Sequence, residues 1–197
     1  MSVESDVLEN LRASGALKEG HFLLSSGRHS DRYVEKFDLL RQPGATSRAC
    51  EGFAKAFCES GVDVVAGPTT GGIILAFEVA RQLGVAAAYA ERKSEGAGRE
   101  FRRGTTFAPG TRVLVVDDIL TTGGSVRETL EALREHPVDV IGVGILVDRS
   151  GGTVDFGVPL HSLVTMQIQT WDAEACPLCA EGVPLVKPGT TPGPGSA

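Results

Sequence analysis

The sequence predicts an α/β fold: a central, mostly parallel sheet with helices on both faces, plus a small hood. Three observations predict it. First, the continuous apolar runs "VDVVAGP" (62–68), "VAAAYAE" (85–91), "RVLVVDD" (112–118) and "VDVIGVGILVD" (138–148) alternate with amphipathic stretches. That alternation marks parallel strands buried on both faces. Second, glycine-rich segments follow three of these runs, at the carboxyl ends where open parallel sheets bind ligands. Third, the N-terminal part shows a Ser-Gly turn between short apolar runs, the pattern of a hairpin.

Taken in order, residues 3–14 carry Val3, Val7, Leu8 and Leu11 at helical spacing, and Gly15 can end the helix. The stretch "HFLLSSGRHSDRYVEKFDLL" (21–40) suits strand–turn–strand. Residues 46–60 place Ala49, Phe53, Ala56 and Phe57 on one helical face, with Gly61 past the end. "GGIILAFEVARQLG" (71–84) and "SVRETLEALREH" (125–136) are the helices between strands, and "HSLVTMQIQTW" (161–171) holds a further strand or two. One domain is expected over 1–186, with a hood from about 1–40 and 155–175 and a core over about 41–154. The Pro/Gly-rich tail 187–197 is expected to be disordered.

Composition narrows the function classes. A chain of 197 residues with 42% hydrophobic and 22% charged residues is ordinary for a globular protein. A net charge of −6 argues against nucleic acid as a partner, because phosphate backbones need clustered Lys and Arg. No run reaches membrane-spanning length and the N-terminus has no signal-peptide core, so a cytoplasmic protein is expected, without a membrane partner. The four cysteines, Cys50, Cys58, Cys176 and Cys179, are then read as thiols.

Four segments share the ligand-binding rim: 67–72, 91–104, 117–125 and 148–152. In "TTGGS" (121–125) glycines bring backbone N–H groups close to a ligand, hydroxyls add donors, and a helix N-terminus follows. That is a phosphate cradle. Asp117 and Asp118 would repel the phosphate but suit a sugar diol or Mg²⁺. The inferred ligand is therefore a sugar phosphate. The glycine loops of nucleotide hydrolases and of dinucleotide folds are absent. Ser125 and Glu128 also fit a capping box, which would make Ser125 structural.

"VLVVDDILTTGGS" (113–125) resembles the phosphoribosyl pyrophosphate (PRPP) signature of type I phosphoribosyltransferases, whose fold is a parallel sheet with a hood. "GHFLLSSGRHSDRY" (20–33) and "LVDRSGG" (146–152) are similar to segments of the orotate phosphoribosyltransferases, and "CPLCAEGVPLVKPG" (176–189) to the end of a subgroup of them. The resemblance implies transfer of ribose 5-phosphate from PRPP to orotate, with Mg²⁺ held mainly through PRPP and water. It implies PRPP contacts from Arg92, Lys93, Asp117, Asp118, Ile119, Leu120, Thr121, Thr122, Gly123, Gly124 and Ser125. Asp117, Asp118 and Lys93 would be catalytic. Thr69, Thr70, Gly71 and Gly72 would hold pyrophosphate, and Thr121 and Arg149 would hold orotate. Arg149 offers the orotate carboxylate a planar fork, against which stands a plain Asp148–Arg149 surface pair. The hood segment Ser25–Arg28 and Tyr33 would read the base edges. The family's loop reaches a neighbouring subunit, so a homodimer is implied.

The sequence departs from that pattern at three lysines and a histidine. The loop "RKSEGAGREFRRG" (92–104) lacks the family's later lysine and its histidine, and Gly71 and Ser25 stand where members often carry lysine. Arg99, Arg102 and Arg103 are read either as substitutes or as a solvated strand pair. Transfer to another base, or a non-catalytic PRPP sensor, stays open here; the missing lysines favour the sensor, while the acidic charge and lack of a helix-turn-helix segment oppose it. Cys176-x-x-Cys179 has metal-type spacing, but no second pair at matching spacing accompanies it, so a plain turn is expected. His21 and His29 are read as structural residues of the hood.

Overall fold

The computed structural model describes residues 3–24 and 26–188. Ser25 and most of the 187–197 tail lie outside them. The chain opens with α1 (Val3–Ala13), which buries Val7 and Leu11, then the antiparallel hairpin β1 (Leu17–Leu23) and β2 (His29–Val34). The short α2 (Lys36–Leu40) leads to α3 (Pro43–Phe57), where proline occupies the first turn and loses no helical bond. Then come β3 (Val64–Pro68), α4 (Gly71–Leu83), β4 (Ala86–Arg92), β5 (Arg99–Phe101), β6 (Thr111–Leu120), α5 (Gly124–Leu133), β7 (Val138–Asp148), β8 (Leu160–Thr165), β9 (Thr170–Trp171) and α6 (Pro177–Ala180).

The main sheet runs β5-β4-β3-β6-β7-β8, parallel throughout except for the antiparallel β4–β5 pair. Alternation along β6 sends Leu114 and Val116 into a core with Phe53, Leu75 and Val79 from α3 and α4. Val113 and Val115 meet Val126 and Leu133 of α5 on the other face. Both faces are covered, which is why the strands are apolar without interruption. Among the described residues, no helix is long and apolar enough to cross a membrane.

The hood sheet is β1-β2-β9, and Val186 adds a parallel bridge to Phe22. Its expected boundaries need correction. Residues 160–165, read as hood, form the edge strand of the main sheet beside β7. Helix α1, also read as hood, puts Val7 and Leu11 into the main core. Periodicity identifies a strand or a helix but not its partner. A second correction concerns the cysteines: His21 and His29 close on Cys176 and Cys179. The partners of the Cys-x-x-Cys pair come from the hairpin, 155 residues before Cys176 in the case of His21.

Phe53 is completely buried and packs against β7, where a Cβ at Gly144 would come within 2.9 Å of its ring. Phe53→Ala should lower the unfolding free energy by about 3–5 kcal/mol, read from the urea midpoint.

Candidate active site

The site lies where β3, β6 and β7 end. Asp117 and Asp118 fall near the end of β6 and are buried, 7% and 3% exposed. Asp117 Oδ1 accepts from the Asp118 backbone N–H at 2.8 Å. Asp118 Oδ1 accepts from Ile119 N–H at 2.7 Å and from Lys36 Nζ at 3.0 Å. Its Oδ2 is 2.9 Å from the same Nζ but lacks hydrogen-bond geometry. Burial, and next the charge of Asp118, push the Asp117 carboxyl well above its ordinary range, with Lys36 and Arg99 opposing.

These carboxylates dictate their surroundings. A Cβ on Gly71 would lie 1.8 Å from Asp118 Oδ2, so the first residue of α4 must be glycine while that carboxylate stays put. Gly67 is equally tied, since its Cβ would meet the Gly72 carbonyl at 2.3 Å. The "GPTTGG" loop is thus packed directly under the carboxylates.

The second loop closes over the start of α5. Gly123 is the N-cap, at φ 81 in the left-handed region that favours glycine, and the first helical bond runs from Arg127 N–H to its carbonyl. The N–H groups of Gly124, Ser125 and Val126 precede that bond and point out of the helix end, an anion site. The capping box does not form. Ser125 lies inside the helix, and Glu128 Oε2 lies 3.2 Å from Arg99 Nε.

A cleft of about 900 Å³ gathers Tyr33, Lys36, Thr69, Thr70, Asp117, Asp118, Ile119, Thr121, Thr122, Ser125, Arg149 and Lys187. An adjoining pocket of about 230 Å³ adds Arg92, Leu120, Gly123 and Gly124. The cleft lining holds no cysteine or histidine among the described residues. Its donors suit anion binding and its carboxylates suit hydroxyls or a hard cation.

Arg149 lies in this cleft, and burial lowers its pKa, with Tyr33 opposing. Its Nε is buried without a hydrogen-bond partner. The plain pairing with Asp148 does not occur, because Asp148 Oδ1 accepts from the Ser150 backbone N–H at 2.7 Å. Arg99 is not a solvated residue either. It is 3% exposed, and its NH1 donates to Thr69 Oγ1 at 2.9 Å and to the Ala90 carbonyl at 3.1 Å. Arg102 and Arg103 are held outside by Glu100 and Glu91.

Lys93 is the expected catalytic residue that this chain does not bring to its own cleft. Its Nζ lies 3.7 Å from Glu135, beyond the far end of α5. Lys36 lines the cleft and pairs with Asp118, and motif reading missed it. Only its place just after the hairpin, as the first residue of the short helix α2, could have singled it out.

The family described as phosphoribosyl transferase domain matches residues 40–174. An orotate phosphoribosyltransferase of Caldanaerobacter subterraneus subsp. tengcongensis is 50% identical over 184 residues, 93% of this chain and 96% of that one. One from Caldicellulosiruptor bescii is 45% identical over 93% of this chain and 95% of that one. The crystal structure of an Aeropyrum pernix orotate phosphoribosyltransferase superposes with a TM-score of 0.68 at 31% identity, covering 82% of this chain and 94% of that one.

The raised Asp117 pKa means that the folded chain binds this proton more tightly than the unfolded chain. Stability is therefore lost as pH rises from the ordinary carboxylate range through the raised value. Asp117→Asn should melt above the unmodified protein at pH 8, with the gap closing near pH 4, by thermal unfolding at both pH values.

Proposed function

The chain belongs to the orotate phosphoribosyltransferases, within the phosphoribosyl transferase domain family, and from that premise we infer how its cleft carries out the reaction. The reaction transfers ribose 5-phosphate from PRPP to a ring nitrogen of orotate, giving orotidine 5′-phosphate and pyrophosphate. It is a pentosyl transfer of pyrimidine biosynthesis.

The observation that carries the site assignment is the half-buried Arg149, its buried Nε unpaired, in the same cleft as the anion cradle and the twin carboxylates. A guanidinium nitrogen buried without a partner is costly unless a ligand supplies an acceptor. Orotate supplies a carboxylate of matching planar geometry. Thr121 lies on the same wall and is assigned to orotate as well as to PRPP.

Residues 121–125 are assigned the 5-phosphate, which their hydroxyls and the free N–H groups of α5 surround. Ile119 and Leu120 line that wall. Asp117 and Asp118 take the ribose hydroxyls, Asp118 once Lys36 releases it. Thr69, Thr70, Gly71 and Gly72 take the pyrophosphate, with Arg99 beneath Thr69 as a fixed cation. Arg92 approaches from the adjoining pocket.

The transition state has oxocarbenium character, with negative charge growing on pyrophosphate. Fixed donors and cations at that oxygen end then do most of the work. Mg²⁺ would be held mainly by PRPP oxygens and water, the hard oxygen ligands it prefers. When bound, that ion neutralises charge on the pyrophosphate. Lys36 and Arg99 supply positive charge that the departures at residues 25, 71 and 92–104 remove.

The family resemblance implies a homodimer in which the loop between β4 and β5, whose Lys93 lies near Glu135 of its own chain rather than in its own cleft, closes over a partner's cleft. That closure excludes water, which would otherwise hydrolyse PRPP. A cytoplasmic location accompanies this reading, with PRPP and orotate as small-molecule partners.

The test is loss of orotate absorbance with PRPP and Mg²⁺. Arg149→Ala should raise the orotate KM roughly 10- to 100-fold, equivalent to ~1.5–3 kcal/mol, with little change for PRPP. Equal rises for both substrates would remove the carboxylate assignment. Gly123→Val, whose side chain would push against Phe156 and Val154 at a left-handed position, should abolish PRPP binding by calorimetry while orotate's site stays formed.

A further inference from the structure

The hood holds a four-residue cluster that the transfer chemistry does not use. It joins His21 of β1, His29 of β2, and Cys176 and Cys179, the cap and third residue of α6. Three of the four are buried, and their ligand atoms all lie within 4.8 Å of one another. His21 Nε2 is 2.9 Å from His29 Nδ1, 3.4 Å from Cys176 Sγ and 3.7 Å from Cys179 Sγ. Cys179 Sγ is 3.3 Å from His29 Nδ1. Tetrahedral zinc, with bonds of ~2.0–2.1 Å to nitrogen and ~2.3 Å to sulfur, sets edges of roughly 3.3–3.8 Å between ligand atoms. Of the six edges, three of these four fall on that range, the fourth is short by a few tenths of an ångström, and the remaining two lie within 4.8 Å.

The outer atoms agree. His21 Nδ1 lies 2.8 Å from the Val183 carbonyl, which can only accept, so Nδ1 carries the proton and Nε2 turns its lone pair inward. The two cysteines are not joined as a disulfide. Two soft sulfurs and two imidazoles in one closed set select zinc over the hard Mg²⁺.

We propose that His21, His29, Cys176 and Cys179 form a structural zinc site that staples the hood hairpin to the C-terminal segment. Four protein ligands leave no open position, so the ion takes no part in the transfer. Its place explains how the chain after α6 is held. Val186 donates to the His21 carbonyl and accepts from Leu23, both at 2.8 Å, and the next residue, Lys187, lines the cleft. The proposal does not depend on which base is the acceptor.

The full chain, without a histidine tag, is reduced, equilibrated with zinc and dialysed into metal-free buffer. Elemental analysis should find one zinc per chain, falling to none in a Cys176→Ser, Cys179→Ser double variant. Cobalt(II) in the unmodified chain should show a thiolate charge-transfer band and strong tetrahedral visible bands. This reading stands even if the double variant does not fold. Absence of retained zinc, octahedral weak-band cobalt, or unchanged zinc in a folded double variant would each overturn the proposal. In that event the cluster is a hydrogen-bonded set of thiols and imidazoles.

Discussion

Two carboxylates on consecutive residues of a strand covered on both faces repel each other and lack bulk water to soften the repulsion. Asp117 and Asp118 endure this because pleating turns them to opposite sides, where different groups meet them. Lys36, arriving from the hood side, spans both oxygens of Asp118. Arg99 and the Asp118 backbone N–H act on Asp117. Gly71 must then be bare, and the loop after β3 must pass close by. Much of the local sequence around the cleft follows from accommodating these two charges.

The same logic separates cations paired within the fold from one left with an unpartnered nitrogen. Arg102 and Arg103 find glutamates at the surface, and Arg99 is bound to Thr69 and Ala90. Arg149 is half-buried with an orphan Nε, while the neighbouring Asp148 turns one carboxylate oxygen to the Ser150 backbone N–H. Local dissatisfaction of this kind in an otherwise well-packed chain is where function concentrates.

The alternation of strands and helices was legible because each strand is buried on both faces and leaves an unbroken apolar run. The cradle was legible because phosphate demands glycines and a helix end at fixed spacing. Residues 160–165 were assigned to the wrong sheet, since a run such as "HSLVT" records burial but not its neighbour. Lys36 escaped notice because one lysine after a hairpin has no motif around it. Arg99 could be read from the sequence either as a substitute cation or as a solvated strand residue, and only β4–β5 pairing turns it inward. His21 and His29 could not be joined to Cys176 and Cys179 from spacing, because the distance along the chain is set by everything folded between them.

The hood sheet draws its strands from both extremities: β1 and β2 early, β9 and Val186 late. The His21–Val183 contact spans 162 residues. During synthesis the amino-terminal hairpin therefore emerges long before the strand that flanks it and the segment that seals its edge. The parallel core can assemble first, domain-like, from neighbouring βα units. The hood sheet is completed only once β9 and Val186 have been made. A chain stalled before Thr170 would then hold the strands of the main sheet but only a bare hairpin in place of the hood.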